Sequence, residues 1–324
     1  VYRAPWLDHV RFEQTLTGFV PEELTRLPVP AYQDRPIDVS YRARKLPGWC
    51  GAFGQEKWII GARFSADAES YGLKCDISTA EQDRIYGQKW VEFVANSKAM
   101  LGTESGASFI DFSGNIAPAV DQFEATNPNA SFEEVRDRFL EERDGEIVIH
   151  VISPRCFEAA ALRTLMIMYE GEYSGALSAN RHYVPLKRDH SNMEEVVAVL
   201  RDSKRAGRII DQAYEEVACS GEWTFAAFIR HFDRVVLEEC GKSSQRPSLA
   251  LGGDEVVALE LRSRTLAAHH RRRLQLAMRL QALAGRAFRF LESMLPGFIG
   301  QPILRLGRQV MRRVKPHLRR ILLD

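Results

Sequence analysis

Several signatures of nucleotide and metal chemistry are missing from this chain. No GxxxxGKS or GxxxxGKT occurs, and no GxGxxG opens a helix after a first strand, so P-loop kinases and dinucleotide-dependent dehydrogenases have no footing. The five cysteines, Cys50, Cys75, Cys156, Cys219 and Cys240, lie far apart, with no CxxC and no histidine at ligand spacing. That excludes a zinc module and a disulfide framework, and leaves reduced thiols in a cytoplasmic setting as the expectation. No apolar run reaches the roughly 18 residues a bilayer span needs. The first residues look like neither a signal peptide nor a membrane span, and the chain opens on Val1 rather than Met. Internal repeats are absent. Residues 254–324, although basic, hold no tryptophan or tyrosine on which a base could stack, which argues against nucleic acid as their partner.

What is present is ordinary in total and uneven in distribution. The 324 residues are 45% hydrophobic and 27% charged, enough for one large or two ordinary domains. The formal net charge of +1 conceals a division. Residues 261–324 hold 15 Lys and Arg against two acids, Glu292 and Asp324, whereas the rest holds 29 basic and 41 acidic residues. An acidic body and a basic tail meet different partners.

Residues 1–35 read as a lead-in, with prolines at 28, 30 and 36 keeping the backbone extended. Ile37–Tyr41 alternates like a strand and is followed at once by Arg42, Arg44 and Lys45, three cations where an α/β sheet presents its ligand loops; the cluster also fits a solvated patch. Gly54–Ala68 has helical periodicity, Leu73–Ile77 is strand-like, and Tyr86–Ala99 reads as an amphipathic helix through Trp90, Phe93 and Val94. Gly102-Thr103-Glu104-Ser105-Gly106 is a small-residue turn whose backbone amides can approach a phosphate. Within 114–146 the second half reads as helical, capped at Ser131 with Glu133 and Glu134 in the first turn. Strand and helix keep alternating to residue 240, with Asn192 capping one helix and Trp223, Phe225, Phe228 and Phe232 on the last. The expected fold is therefore α/β, a Rossmann-like, mainly parallel sheet with helices on both faces. A linker, 241–253, then leads to a basic amphipathic helical tail, 254–324, suited to an anionic membrane surface or equally to packing on the body or a partner.

One stretch combines these signals. In His150–Gly175, Ser153 and Pro154 begin a helix, with the Ser153 hydroxyl expected to accept an orphan amide. Arg155 and Glu158 lie in its first turns, Leu165–Met168 is a buried strand, and Tyr169–Gly175 is the loop at its carboxyl end. Helix, strand and loop in that order are parts of a nucleotide-binding α/β site.

The run Ser153–Ala161, together with Tyr41-Arg42-Ala43-Arg44, Gly102–Gly106 and His182–Leu186 followed by Asp189 and Asn192, resembles the nucleotide-binding half of a GT-B type glycosyltransferase. The nearest group is the bacterial family-1-like transferases, and the resemblance covers residues 36–240. It implies a nucleoside diphosphate sugar as substrate with no cofactor or metal, and a surface-glycan or lipid-linked acceptor. Glu158 is then expected to hold the ribose, and Arg155, Arg42, Arg44 and Lys45 the diphosphate. Gly102, Thr103, Ser105 and Gly106 would bring amides to the phosphate or sugar, and Glu170, Gly171, Tyr173 and Ser174 would line the sugar. Relatives carry a glutamate where this chain has His150, so the catalytic carboxylate is expected to be Glu104. Such enzymes also have an acceptor-binding domain, for which residues 1–35 are too short, so the chain resembles the second half of one. The basic tail would hold it peripherally at the inner face of the membrane. The alternative is a non-catalytic nucleotide-binding or scaffold module whose tail docks a partner.

Overall fold

All five residues of Leu165–Tyr169 are buried, which in a strand means that both faces of the sheet are covered. Leu165, Ile167 and Tyr169 join one apolar cluster, and Met166 and Met168 join the other. The structure is a computed structural model and describes residues 10–240 and, beyond them, Ala258, Leu261, Arg262 and Thr265, each helical. The chain divides into two units, Val1–Cys240 and Gly241–Asp324. The expected linker 241–253 and, those four residues apart, the tail 254–324 lie outside the described residues.

The strands are β1 (Ile37–Arg42), β2 (Cys75–Ser78), β3 (Ser97–Gly102), β4 (Ser105–Ala107), β5 (Ile149–Val151), β6 (Leu165–Tyr169) and β7 (Val184–Leu186). Five of them form one sheet in the order β2-β1-β3-β6-β7, every pair parallel. Val39 lies between Cys75 and Ala99, and Met100 sits beside Met166. The fold is thus the mainly parallel, Rossmann-like α/β sheet expected. Helices α1 (Gly51–Glu69), α6 (Met193–Arg201) and most of α7 (Ser203–Ala213) cover the face of Ile167; α2 (Gln88–Ala95) and α5 (Pro154–Ala161) cover that of Met168. Pro185, which cannot donate to a ladder, stands on the edge strand.

The remaining strands, β4 and β5, pair antiparallel in a ribbon of their own, Gly106 opposite His150. Between them runs an excursion containing α3 (Ile116–Thr126), α4 (Phe132–Val135) and the turn of π-helix Arg136–Leu140. Its first half is helical as well as its second. Ser131 forms the expected cap, accepting from the Glu134 amide while Glu134 accepts from the Ser131 amide, at 3.2 and 2.7 Å.

The helix expected over 86–99 stops at Ala95, and Ser97–Gly102 is the central strand of the sheet. Ser97 is completely buried, its hydroxyl donating to Phe93 O at 2.7 Å, so a polar residue in helical phase with Trp90 and Phe93 in fact opens a core strand. Neither Ser153 nor Asn192 caps with its side chain; Asn192 Oδ1 instead accepts from the Lys187 amide at 2.9 Å.

Residues before β1 close onto the same unit. The Val20 amide donates to Trp223 O at 2.9 Å, and Leu24 enters the core. Phe19 stacks against Phe225 and Phe228 of α8 (Phe225–Glu239), and Arg11 pairs with Glu238 and Glu239 at 2.9 and 2.8 Å. Arg35 is buried without a carboxylate and spends its guanidinium on Pro30 O, Ser97 O, Leu162 O and Thr164 Oγ1, tying the lead-in to the starts of β3 and β6. Burial lowers its pKa to about 10.

Candidate functional site

The strand order reverses beside β1, which makes the gap between β1 and β3 the switch point where open parallel sheets bind ligands, outside the strands' carboxyl ends. A cavity of about 300 Å³ lies there. Strand β1 and the residues after it supply Tyr41, Arg42 and Arg44; β3 and its turn supply Gly102, Thr103 and Ser105. Ser153 and Arg155 come from the start of α5, Lys57 from α1, and Arg84 and Tyr86 from the loop after β2.

Five cations meet in this space, and they are not equivalent. Arg42 is committed to the scaffold: it pairs with Asp76 at 2.7 Å, donates to Asp83 O and Asp76 O, and lies over the Phe93 ring. Arg84 pairs with Glu81 at 2.7 Å and stacks on Tyr86. Arg44, Lys57 and Arg155 have no carboxylate partner among the described residues. Arg155 donates to Arg42 O, and its guanidinium stacks on Trp90 at 4.8 Å. Burial lowers the Lys57 pKa, and the charges of Arg155 and Arg44 lower it further. Three like charges thus line one cavity with no carboxylate beside them among the described residues, an arrangement that a polyanion would complement.

Lys57 lay outside the sequence-based set, although a signal for it exists. It shares a helix face with Gly54, Gly61 and Phe64, all buried on α1, and a cation on a core-facing stripe needs an anion. Tyr86, 65% exposed at the cavity rim, stands before α2 and not in it, contrary to the helix its pattern suggests. Of the expected phosphate ligands, Lys45 lies instead over the Trp58 ring and does not line the cavity.

Two helix starts face this end of the sheet. That of α1 is closed by the excursion: both oxygens of Asp144 accept the Ala52 amide, and Ser108 Oγ accepts the Phe53 amide and donates to Asp144. That of α5 carries no side-chain cap and borders the cavity; Pro154 has no N–H and the Cys156 amide donates to Ser153 O at 3.0 Å, which leaves the helix dipole and the Arg155 amide as what this start can offer an anion.

The other expected residues group one step away. Glu104 is buried; its Oε1 accepts the Tyr173 amide at 2.8 Å and meets His150 Nδ1 at 3.1 Å. A Cβ on Gly171 would lie 2.4 Å from Glu104 Oε2, so that loop is pressed against the carboxylate. The Tyr173 ring is fully buried with its hydroxyl on Tyr169 O, leaving it no face toward a ligand, and Ser174 Oγ accepts the Ile152 amide. Glu170 is exposed, its carbonyl held by Arg188. Gly106 belongs to the ribbon rather than the cavity: a Cβ there would stand 1.7 Å from Ile149 O. Glu158 does not line the cavity either; it is half-buried and accepts from Trp90 Nε1 at 2.7 Å, bracing the ring on which Arg155 stacks. The structure therefore brings together Arg42, Arg44, Gly102, Thr103, Ser105 and Arg155, and sets Glu104, Gly171, Tyr173 and Ser174 in a neighbouring cluster.

Among the described residues no helix is long and apolar enough to cross a membrane, and no three His, Cys, Asp or Glu are grouped to hold a metal. No family model and no curated protein matches the chain. A solved glycosyltransferase from Rickettsia africae ESF-5 is similar at 10% identity, over 70% of this chain and 57% of that one, with a TM-score of 0.34. The shared part is thus less than two thirds of that protein, and a likeness of this size assigns no function.

Proposed function

We propose that residues 36–240 bind a nucleoside diphosphate sugar and serve as the donor-binding part of a glycosyltransferase of GT-B type. The observation that carries the reading is the unpaired trio Arg44, Lys57 and Arg155 at the switch point of a parallel sheet. A diphosphate supplies the missing counter-charge, the uncapped start of α5 adds the helix dipole, and exposed Tyr86 offers a base a ring face. The chemistry matches transfer as well as binding. When the glycosidic bond breaks, the departing diphosphate gains negative charge, so fixed cations stabilise the transition state more than the ground state. A surface-glycan or lipid-linked acceptor, with residues 254–324 at a membrane surface, extends the same reading from the sequence.

A second reading, nucleotide binding without transfer, draws on the burial of Glu104, whose carboxylate is already occupied by protein donors. Thermal denaturation of the full chain with uridine, guanosine and thymidine diphosphates and their sugars tests the shared part. At a hundredfold excess over Kd, one of these ligands should raise Tm by about 5–10 °C. Lys57→Ala and Arg155→Ala should each remove the shift. No shift with any of these ligands at millimolar concentration would overturn both readings; a shift without any release of nucleoside diphosphate from its sugar would favour the second.

A further inference from the structure

The two residues between which the sequence divides the catalytic role, Glu104 and His150, are in contact. An ionised carboxylate only accepts hydrogen bonds, so the contact at 3.1 Å places a hydrogen on His150 Nδ1, and in the neutral ring Nε2 is then the acceptor. Glu104 is in no position to reach a ligand itself: it is 6% exposed, held by the Tyr173 amide, and pressed by Gly171. His150 is open, with 35% of its side chain exposed, no partner on Nε2 among the described residues, and the Phe53 ring packed edgewise at 6.3 Å. Neither residue lines the cation cavity, but both neighbour it along the chain. Thr103 and Ser105, on either side of Glu104, line it, and so does Ser153, three residues after His150. The ribbon that carries His150 and begins one residue after Glu104 fixes the spacing, since His150 lies opposite Gly106.

We propose that His150 is a catalytic residue, the proton acceptor for the incoming hydroxyl, and that Glu104 is its positioning residue. The inference rests on the reading above, that the neighbouring cavity holds a nucleoside diphosphate sugar. In the step, the acceptor oxygen forms a bond to the anomeric carbon and the bond from that carbon to the diphosphate oxygen breaks. Its electron pair leaves with the nucleoside diphosphate, and the hydroxyl proton passes to His150 Nε2 and then to solvent. Glu104 holds the ring in the tautomer with a free Nε2 and stabilises the imidazolium that forms.

The test uses the full chain and two measurements on uridine, guanosine and thymidine diphosphate glucose: binding of the matching diphosphate by calorimetry, and release of that diphosphate from the sugar, with water or an added alcohol as acceptor. His150→Ala is expected to lower kcat about 100-fold, as loss of a general base does, to leave diphosphate affinity within about twofold, and to regain activity with added imidazole. Glu104→Gln is expected to lower kcat about tenfold with KM unchanged, a split that a merely structural role would not give. If that variant does not fold, imidazole rescue of His150→Ala decides. Turnover by His150→Ala at the unaltered rate, or tight diphosphate binding with no turnover of any of these sugars by the wild-type chain, overturns the dyad and leaves the binding site standing. Absence of any diphosphate binding overturns the binding reading, and the dyad falls with it.

Discussion

Asp144 grips the Ala52 amide with both carboxylate oxygens, at 3.3 and 3.0 Å, across 92 residues of sequence. The helix that follows the first strand is therefore capped by protein, in the place where many α/β sites put a phosphate. Asp144→Ala should cost about 1–2 kcal/mol in urea denaturation, the range for loss of a cap, while diphosphate affinity in a titration stays within about twofold. A tenfold change in affinity would make Asp144 part of the ligand site instead.

Lys57 sets affinity against stability. It is partly buried beside two other cations with no carboxylate partner among the described residues, so it bears a repulsion that a bound polyanion would relieve. Lys57→Met should raise Tm of the free chain by about 2–4 °C, the shift that about 1 kcal/mol gives in a domain of this size. The same variant should weaken diphosphate binding at least about tenfold, or about 1.4 kcal/mol. A variant less stable than wild type would show that the ammonium has a partner in the free chain.

The pH dependence of binding follows from the same lysine. In the free chain its pKa is lowered, by burial first and by Arg155 and Arg44 after it. A bound polyanion favours the charged ammonium and raises that pKa again. Binding therefore takes up a proton in the range between the two values, and affinity falls as pH rises through that range. Calorimetry in two buffers of different ionisation enthalpy should detect the uptake in wild type and its absence in Lys57→Met.

Gly106 meets a backbone limit. Its φ is +154°, and a Cβ would stand 1.7 Å from Ile149 O, a contact that only separation of β4 from β5 could relieve. Gly106→Ala should destabilise the chain by about 2–3 kcal/mol and, because the ribbon carries His150, reduce turnover more than diphosphate binding. Denaturation and a comparison of kcat with Kd check both parts.

The sheet was legible because its strands declare themselves by burial. Leu165–Met168 is apolar throughout, as a strand covered on both faces must be, and the cations after Ile37–Tyr41 mark the carboxyl end of the sheet, where the cavity lies. Strand β3 was hidden because Ser97 and Lys98 interrupt its apolar pattern and continue the phase of the helix before it. The hydroxyl that makes Ser97 look exposed is satisfied inside, on Phe93 O. In the site, the residues from β1, β3 and α5 were legible because each follows a chain signal: a strand end, a glycine turn, a Ser-Pro start. Lys57 was not, since its meaning depends on Arg44 and Arg155, 13 residues before it and 98 after it in the chain. The contact between Glu104 and His150 was invisible for a related reason: it needs the pairing of β4 with β5 across an excursion of some forty residues.

The lead-in and the last helix of the unit meet in one seam, through Val20 and Trp223, Phe19 and Phe228, and Arg11 and Glu238. The backbone near Arg11 and that near Glu238 consequently lie side by side. A chain cut to residues 11–239 can be joined there by a short linker and reopened elsewhere, for instance in the exposed turn Asn127–Asn129 between α3 and α4. Such a circular permutant should keep the sheet, its switch point and the cation cavity, because none of them depends on where the polypeptide begins.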